Sequence, residues 1–532
     1  MRSLILAVCC ASSARGHVAS AATGLHRTRP VSTRAPLLSR ATSLRSCEAE
    51  GAARRELDRE FVGIALPALV QFAAEPIAGL VDTAYLGRLG ASALGGAGIA
   101  ISAHYAIAKL FNDPLLRVSI SIVASGDGAA RSATDGDATA SNDSRENAIS
   151  AALVLALVVG LVQAAFMFVC APALVSAMGG QAGPMRPAAL SYLRVRALGM
   201  PASTLWLASN GIFRGLGDTR TPLAWALLFA GLNAALDPLF IFTFGLGAAG
   251  AAAGTALSQS LALAGLLRAL SKRTGVSTSP VDLISRERLR GLAPALRSYG
   301  RASVLVFVRT IGKVGAYTYC SRQAAQLGAV ASAAHLCCFN LGVVLSQLCE
   351  SVAVATQTLL ARAMGALRAA KRSVSVTNSA DAAAARRDAW HVIWRGSMAG
   401  IAIAGLLTAL TAVRPAAVIA GLTTDVAVRD ACAGIVVPVL CCQLFKGLAF
   451  PANGVIMGGL DWGFASAEIW IGTVLCVALV HARTPPTLTT IWIGLATFMA
   501  SQTLLSVARV VSRAGPWAAL LPEGGKPKAK RP

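Results

Sequence analysis

The sequence predicts an all-α integral membrane protein, with about twelve transmembrane helices in two six-helix lobes that form a parallel internal repeat. Three observations predict this. Hydrophobic residues make up 55% of the 532 and charged residues only 14%, against about 25% charged in a soluble domain, and the mean hydropathy is +0.61. Apolar runs long enough to cross a bilayer, about 20 residues each, recur along the chain. A nine-residue motif and its neighbouring loops recur half a chain apart. The net charge of +23 does not point to nucleic acid. The positive residues lie in the leader, a few loops and the tail, and no basic stripe interleaves with exposed aromatics. The expected partners are the lipid bilayer and a small organic solute, with the chain acting as a monomer.

Residues 1–47 read as a targeting leader. They contain no Asp or Glu and carry seven arginines among many Ser and Ala, the composition of an organelle transit peptide. Arg2, the apolar run 4–10 and Ala11-Ser12-Ser13-Ala14 have the layout of a short signal peptide with a small-residue cleavage site. Signal-like then transit-like is the order of leaders that reach plastids bounded by extra membranes. The predicted location is the plastid envelope or thylakoid. The mitochondrial inner membrane and the plasma membrane or vacuole are the alternatives.

Twelve spans follow. The first lobe, 61–270, holds 61–86, 94–124, 147–171, 188–213, 220–244 and 247–270. The second, 298–512, holds 298–323, 328–361, 390–413, 432–458, 461–480 and 488–512. Segments 125–146 and 363–389 read as polar, flexible loops, each after the second span of its lobe. The linker 271–297 places Leu283, Ile284 and Leu292 among several arginines, which suits an amphipathic helix on the membrane surface. Residues 513–532 form a basic tail.

The repeat rests on Asn210-Gly211-Ile212-Phe213-Arg214-Gly215-Leu216-Gly217-Asp218. It matches Asn453-Gly454-Val455-Ile456-Met457-Gly458-Gly459-Leu460-Asp461 at an offset of 243 residues. Six spans per half put the two copies in parallel orientation, a plan shared by several transporter folds. Lys and Arg concentrate on one face, side A. The linker contributes Lys272, Arg273, Arg286, Arg288, Arg290 and Arg297, the 362–389 loop Arg362, Arg368, Lys371, Arg372, Arg386 and Arg387, and the tail Lys526, Lys528, Lys530 and Arg531. Side B holds scattered arginines such as Arg88, Arg186 and Arg414. Side A is therefore the cytoplasm or stroma, and both termini lie there.

The chemistry lies in charges inside apolar runs. Residues 222–267 are 46 residues with a single charge, Asp237. A carboxylate at a helix centre costs about 2.5–3.5 kcal/mol on insertion scales, so such a residue faces an interior cavity and binds a proton, an ion or a cationic group, or else caps a neighbouring helix. Asn233 lies one turn earlier on the same face. Pro238 removes a backbone donor and frees a carbonyl. In the first span Glu75 and Asp82 are seven apart, two turns on one face. Thr255 follows Gly250-Ala251-Ala252-Ala253-Gly254, small residues that let helices approach closely. Asn210 closes the fourth span. Two carboxylates with amide and hydroxyl partners can hold a proton or a dehydrated cation. His104 reads as a packing histidine or a titrating one. The twelve cysteines show neither a CxxC pair nor a Cys/His set at metal spacing, so they read as core fillers.

The runs Glu75-Pro76-Ile77-Ala78-Gly79-Leu80-Val81-Asp82-Thr83-Ala84-Tyr85-Leu86-Gly87-Arg88, Lys109-Leu110-Phe111-Asn112, Phe213-Arg214-Gly215-Leu216-Gly217-Asp218-Thr219-Arg220-Thr221-Pro222 and Asn233-Ala234-Ala235-Leu236-Asp237-Pro238-Leu239-Phe240 resemble those of MATE (multidrug and toxic compound extrusion) transporters. The pattern is most similar to the DinF-like branch with its plant plastid and organic-acid members, over residues 61–512. The resemblance implies that Asp82 and Asp237 bind the coupling cation and that Asn210, Asn233 and Thr255 line its cavity. Glu75 stands where plant relatives carry Asp. The seventh span lacks the acid another branch uses there and carries Arg301, Arg309 and Lys313 instead. Glu350 is the substitute candidate, or a structural partner of one of those cations. Lys109, in a family motif, pairs with an acid or lines the lobe.

The implied function is a secondary antiporter that exports an organic solute, xenobiotic or organic acid, in exchange for H⁺ or Na⁺. No cofactor or metal beyond that coupling ion is implied. The alternative is a lipid or polysaccharide-precursor flippase of the same broader superfamily, which predicts a cationic cavity. An enzyme is not expected, for want of an HExxH motif or a Ser/His constellation, and no Walker A motif provides for ATP.

Overall fold

The computed structural model describes residues 35–133, 138–178, 183, 185–279, 282–283, 285–372, 377–483 and 485–521. The side chain of Glu75, most of the leader and the last half of the tail lie outside the described residues. The chain divides between Ala53 and Arg54. The first unit is described only as the start of a helix, and the second contains everything below.

The described residues form helices and no strands. In the first lobe these are α1 (Ala35–Gly87), α2 (Ala91–Arg131), α3 (Ala138–Val169), the short α4 (Ala171–Ala177), α5 (Met185–Leu198), α6 (Met200–Gly215), α7 (Arg220–Pro238) and α8 (Gly247–Thr274). The second lobe holds α9 (Arg286–Gln326), α10 (Ala329–Arg372), α11 (Thr377–Val413), the short α12 (Pro415–Leu422) and α13 (Val426–Gly434), α14 (Val436–Gly458), α15 (Trp462–His481) and α16 (Leu488–Val511). A 3₁₀ turn, Gly515–Leu520, ends the described chain.

Nine described helices are long and apolar enough to cross a membrane by length and composition. Of the other three expected crossings, the first lies in α1, where the side chains of 74–80 and 83 fall outside the described residues; the fourth is broken at Gly199 ahead of Pro201 into α5 and α6; and the seventh, in α9, carries Arg301, Arg309 and Lys313. The expected flexible loops at 125–146 and 363–389 are instead mostly helical. α2 runs on to Arg131 and α3 begins at Ala138; α10 reaches Arg372 and α11 begins at Thr377. A polar sequence ends a span but not a helix. Beyond the bilayer, i,i+4 pairs such as Arg131–Asp127 (2.9 Å) support it. The linker's surface helix is likewise continuous with the seventh span in α9.

The repeat is visible in packing. Gly211 and Gly215 of α6 lie against the Leu116 and Ile120 carbonyls of α2, which an added Cβ would meet at 2.6 and 2.8 Å. Gly454 and Gly458 of α14 meet the Ala353 and Gln357 carbonyls of α10 at 2.6 and 2.9 Å. The turn that follows uses a left-handed residue in both lobes, Gly217 (φ 78°) and Leu460 (φ 62°). Asp218 then pairs with Arg273 (2.6 Å) and Asp461 with Arg509 (2.9 Å), each arginine near the end of its lobe's sixth span.

The apolar core has an uneven distribution. One large cluster takes residues from the side A halves of both lobes, including Phe61, Ile120, Phe213, Leu266, Val306, Leu360, Val392, Met457 and Trp517. The side B halves have separate cores. In the first lobe, one packs Leu86, Met167, Leu193 and Ile241; in the second, another packs Cys320, Val439, Ile469 and Trp492. The lobes are therefore joined on side A and have independent cores on side B.

Candidate functional site

The acids of the first lobe meet where α1 and α7 face each other on the side B half. Asp237 is 0% exposed. Asp82 stands close enough for the two carboxyls to bear on each other electrostatically, and neither Asp237 oxygen has a hydrogen-bond partner among the described residues. Asn233 Nδ2 donates to Asp82 Oδ1 (3.3 Å). Two facing acceptors repel unless a proton or cation lies between them. Gly254 of α8 makes the approach feasible, because an added Cβ would stand 3.3 Å from both Asp237 Cα and Cγ.

Local backbone irregularity places Asp237. Pro238 closes α7, and Leu239–Thr243 continues as a π-helical turn, a feature that often accompanies functional sites. Pro238 leaves the Ala234 carbonyl without its helical donor. The Tyr85 hydroxyl, one turn beyond Asp82, reaches that carbonyl at 3.4 Å. Gly250 lets α8 close on the π turn, with an added Cβ 2.7 Å from the Phe240 carbonyl.

The structure thus brings Asp82, Asp237 and Asn233 together. Thr255 adjoins Gly254, but its hydroxyl donates to the Ala251 carbonyl of its own helix (2.8 Å). Asn210 belongs to another network. Gln71 donates to it (2.7 Å), it donates to the Trp206 carbonyl (2.7 Å), and Arg214 holds Gln71 (3.0 Å). Arg196 of α5, buried and bearing electrostatically on both acids, is absent from the sequence reading. A charge inside an expected span was the signal for it.

A second cluster lies where the lobes converge. Lys109 pairs with Asp113 (3.2 Å), Arg117 with Asp113 (2.9 Å), and Arg117 with Glu350 of α10 (3.0 Å). Glu350 is therefore an ion-pair partner, with Arg117 of the opposite lobe rather than with Arg301, Arg309 or Lys313. Lys313, over the Phe450 ring at 5.4 Å, and Arg309 add their charge to the same region. Four basic residues thus stand among Asp113, Glu350 and, beside Arg309, Glu468 of α15. The Lys109 side chain is 42% exposed, that of Arg117 only 7%.

In the second lobe, Glu468 of α15 is 1% exposed. Ser506 donates to one of its oxygens (2.6 Å) and buried Arg309 is a charged neighbour. It too is an intramembrane acid that sequence reasoning passed over.

On side A, ion pairs link the lobes. Arg362 of α10 bonds to Glu60 of α1 and to Asp127 of α2 (3.1 Å). Asp58 of α1 accepts from Arg395 of α11 and meets His391 at 2.8 Å. The Arg395 guanidinium holds the Asp58 carboxyl down at about 2, below its ordinary 3.8. Gln357 reaches the Arg117 carbonyl (2.8 Å) and Ser121 (2.7 Å) across the same seam.

A family profile described as MatE matches residues 121–239. Protein DETOXIFICATION 44, chloroplastic, of Arabidopsis thaliana is 31% identical over 475 residues, covering 89% of this chain and 86% of that protein. The chain belongs to the MATE family. This MATE protein is a transporter of small organic solutes and an integral membrane protein, not an enzyme. Protein DETOXIFICATION 45, chloroplastic, of the same plant is 31% identical over 478 residues, with 87% and 80% covered. These chloroplastic relatives support the plastid location that the leader composition predicts. Among solved structures, a Vibrio cholerae MATE transporter, VcmN, superimposes with a TM-score of 0.70 at 14% identity, over 88% of this chain and 97% of that one. A MOP superfamily transporter from Pyrococcus furiosus, described as having a binding pocket of reverse polarity, gives 0.68 at 20% identity, over 86% and 96%. At such identities the likeness is one of fold.

Proposed function

We propose that this MATE transporter exports an organic acid from side A to side B in exchange for protons taken up at the Asp82–Asp237 pair. The observation that carries the coupling is the pair itself: two neighbouring carboxyls bridged to Asn233 through Asp82, with both oxygens of buried Asp237 lacking a hydrogen-bond partner among the described residues. One shared proton leaves the pair with a single negative charge, which Arg196 balances; a second empties it of charge. Asp237 is buried and Asp82 only half-buried, so Asp82 is the member that takes the proton from side B. Proton uptake there relaxes the repulsion between α1 and α7, and that change favours the state open to side A. The cargo class follows from the charged cluster where the lobes converge, in which Lys109, Arg117, Arg309 and Lys313 outnumber Asp113, Glu350 and Glu468. A surplus of cations attracts carboxylates. The same surplus suits a phosphate headgroup, so a flippase is the second reading.

Efflux from proteoliposomes under an imposed proton gradient tests this, with a panel of organic cations and carboxylates, for wild type and Asp237→Asn. Carboxylate efflux that follows the proton gradient and vanishes in Asp237→Asn is expected. Efflux driven by a Na⁺ gradient alone would replace the coupling ion. Headgroup scrambling without efflux would favour the flippase.

A further inference from the structure

At the side A end of α11, Ala383, Arg387, Trp390 and Trp394 follow one another at helical spacing and so share one face. That face forms one wall of an open pocket of about 520 Å³, whose other walls come from Arg54 of α1 and Leu520 of the C-terminal 3₁₀ turn. Arg386 and His391 complete the lining. Arg386 also anchors the turn by donating to the Leu521 carbonyl (3.0 Å), so the pocket has a built floor. Its charged lining is wholly basic. The two tryptophans are 40% and 51% exposed and stand where the ninth span leaves the bilayer, at the depth where aromatic rings settle in the interface.

This combination has no use in moving a proton or a cargo through the cleft between the lobes. None of the pocket's lining residues belongs to the Asp82–Asp237 pair or to the charged cluster where the lobes converge. Three guanidinium groups select an anion with several oxygens, and exposed indole rings select a ligand whose remainder is apolar. Basic pockets at the inner ends of transmembrane helices hold anionic headgroups. We propose that this pocket binds the headgroup of an anionic lipid of the side A leaflet, with its phosphate or sulfonate on Arg54, Arg386 and Arg387 and its glycerol region against Trp390 and Trp394. A soluble phosphate shares the headgroup chemistry but leaves the tryptophans unused, so the lipid is the source assigned. Occupancy bears on the seam between the lobes, because His391 lines the pocket and also meets Asp58.

The test uses the full chain in vesicles of phosphatidylcholine doped with either brominated phosphatidylglycerol or brominated phosphatidylcholine, read by quenching of tryptophan fluorescence. The part of the signal that disappears in Trp390→Phe/Trp394→Phe belongs to the pocket. That part should report a preference on the order of tenfold for the anionic lipid, falling several-fold in Arg54→Gln/Arg387→Gln. Both arginines are exposed, and an unchanged melting temperature shows that the variant is folded. Equal quenching by the two lipids, or a preference that survives the arginine substitutions, overturns the proposal. Displacement of the brominated phosphatidylglycerol by millimolar inorganic phosphate would assign the site to a soluble anion and overturn the lipid assignment.

Discussion

α2 and α10 cross on side A through a reciprocal pair of glycines, and adding one methyl there should pry the lobes apart. A Cβ built on Gly128 would lie 2.7 and 2.9 Å from the Arg362 carbonyl carbon and Cα; one on Gly365 would lie 2.7 and 2.9 Å from the same atoms of Ser125. Carbon atoms rest at about 3.5–4.0 Å, so the backbones must separate by roughly 1 Å, and no side chain can rotate away to spare them. Overpacking of this kind costs about 1–3 kcal/mol, a bias of about 5- to 150-fold against the closed seam. The better helix propensity of Ala, about 1 kcal/mol, does not offset this, because both segments stay helical whether the seam is open or closed. Thiol labelling of a cysteine placed at Ser121, which is buried in this seam, should accelerate by that factor in Gly128→Ala and in Gly365→Ala. Gly405→Ala, whose Cβ would meet nothing within 4 Å, is the control. Labelling within twofold of the parent protein in both variants, with the fold intact, would refute the close-packed seam.

Gly254→Ala should reduce proton-coupled efflux at least tenfold by displacing Asp237, with every charged group retained; normal efflux would show that the approach of α8 does not position the acid. Asp58 should contribute to side A closure through its pair with Arg395. Its carboxyl is held at about 2 in the closed seam against 3.8 when free, so its contribution is complete above about pH 4 and is lost only as the pH falls toward 2. The shift corresponds to at most about 2.4 kcal/mol, and screening at this partly exposed pair reduces it to about 1. Asp58→Asn should therefore speed that thiol labelling at the seam about fivefold at pH 8, and labelling within twofold of the parent protein would count against the assignment. Glu468→Ala should lower thermal stability by about 1 kcal/mol more than Glu468→Gln, since only the alanine leaves the buried Ser506 hydroxyl without its oxygen partner; equal melting temperatures would contradict that role.

The sequence made the first-lobe acids legible because a lone charge in an apolar run needs a reason to be there. Asp237 and Asn233 share a helical face by spacing, and Asp82 joins them. Spacing gives a face but not the neighbour across it. Asn210 therefore turned out to bond to Gln71, and Thr255 to its own helix. The partner of Glu350 was out of reach for the same reason, since Arg117 lies 233 residues away in the other lobe. Arg196 and Glu468 were legible by the same rule that exposed Asp237 and were passed over beside more conspicuous motifs. The polar segments beyond the second span of each lobe misled because hydropathy marks where lipid ends, whereas helices stop where backbone hydrogen bonding stops.

The single large core on side A, set against two smaller cores on side B, gives the transport cycle a thermal signature. When side B opens, each lobe keeps its own core dry. When side A opens, the shared core around Phe213, Leu360 and Met457 splits and water wets apolar surface. Wetting apolar surface raises heat capacity, so only the step that opens side A has a strongly temperature-dependent enthalpy. The turnover rate plotted against reciprocal temperature should bend where that step limits the cycle and run straight where the return step does. The position of the core therefore makes temperature a probe of which half of the cycle sets the pace.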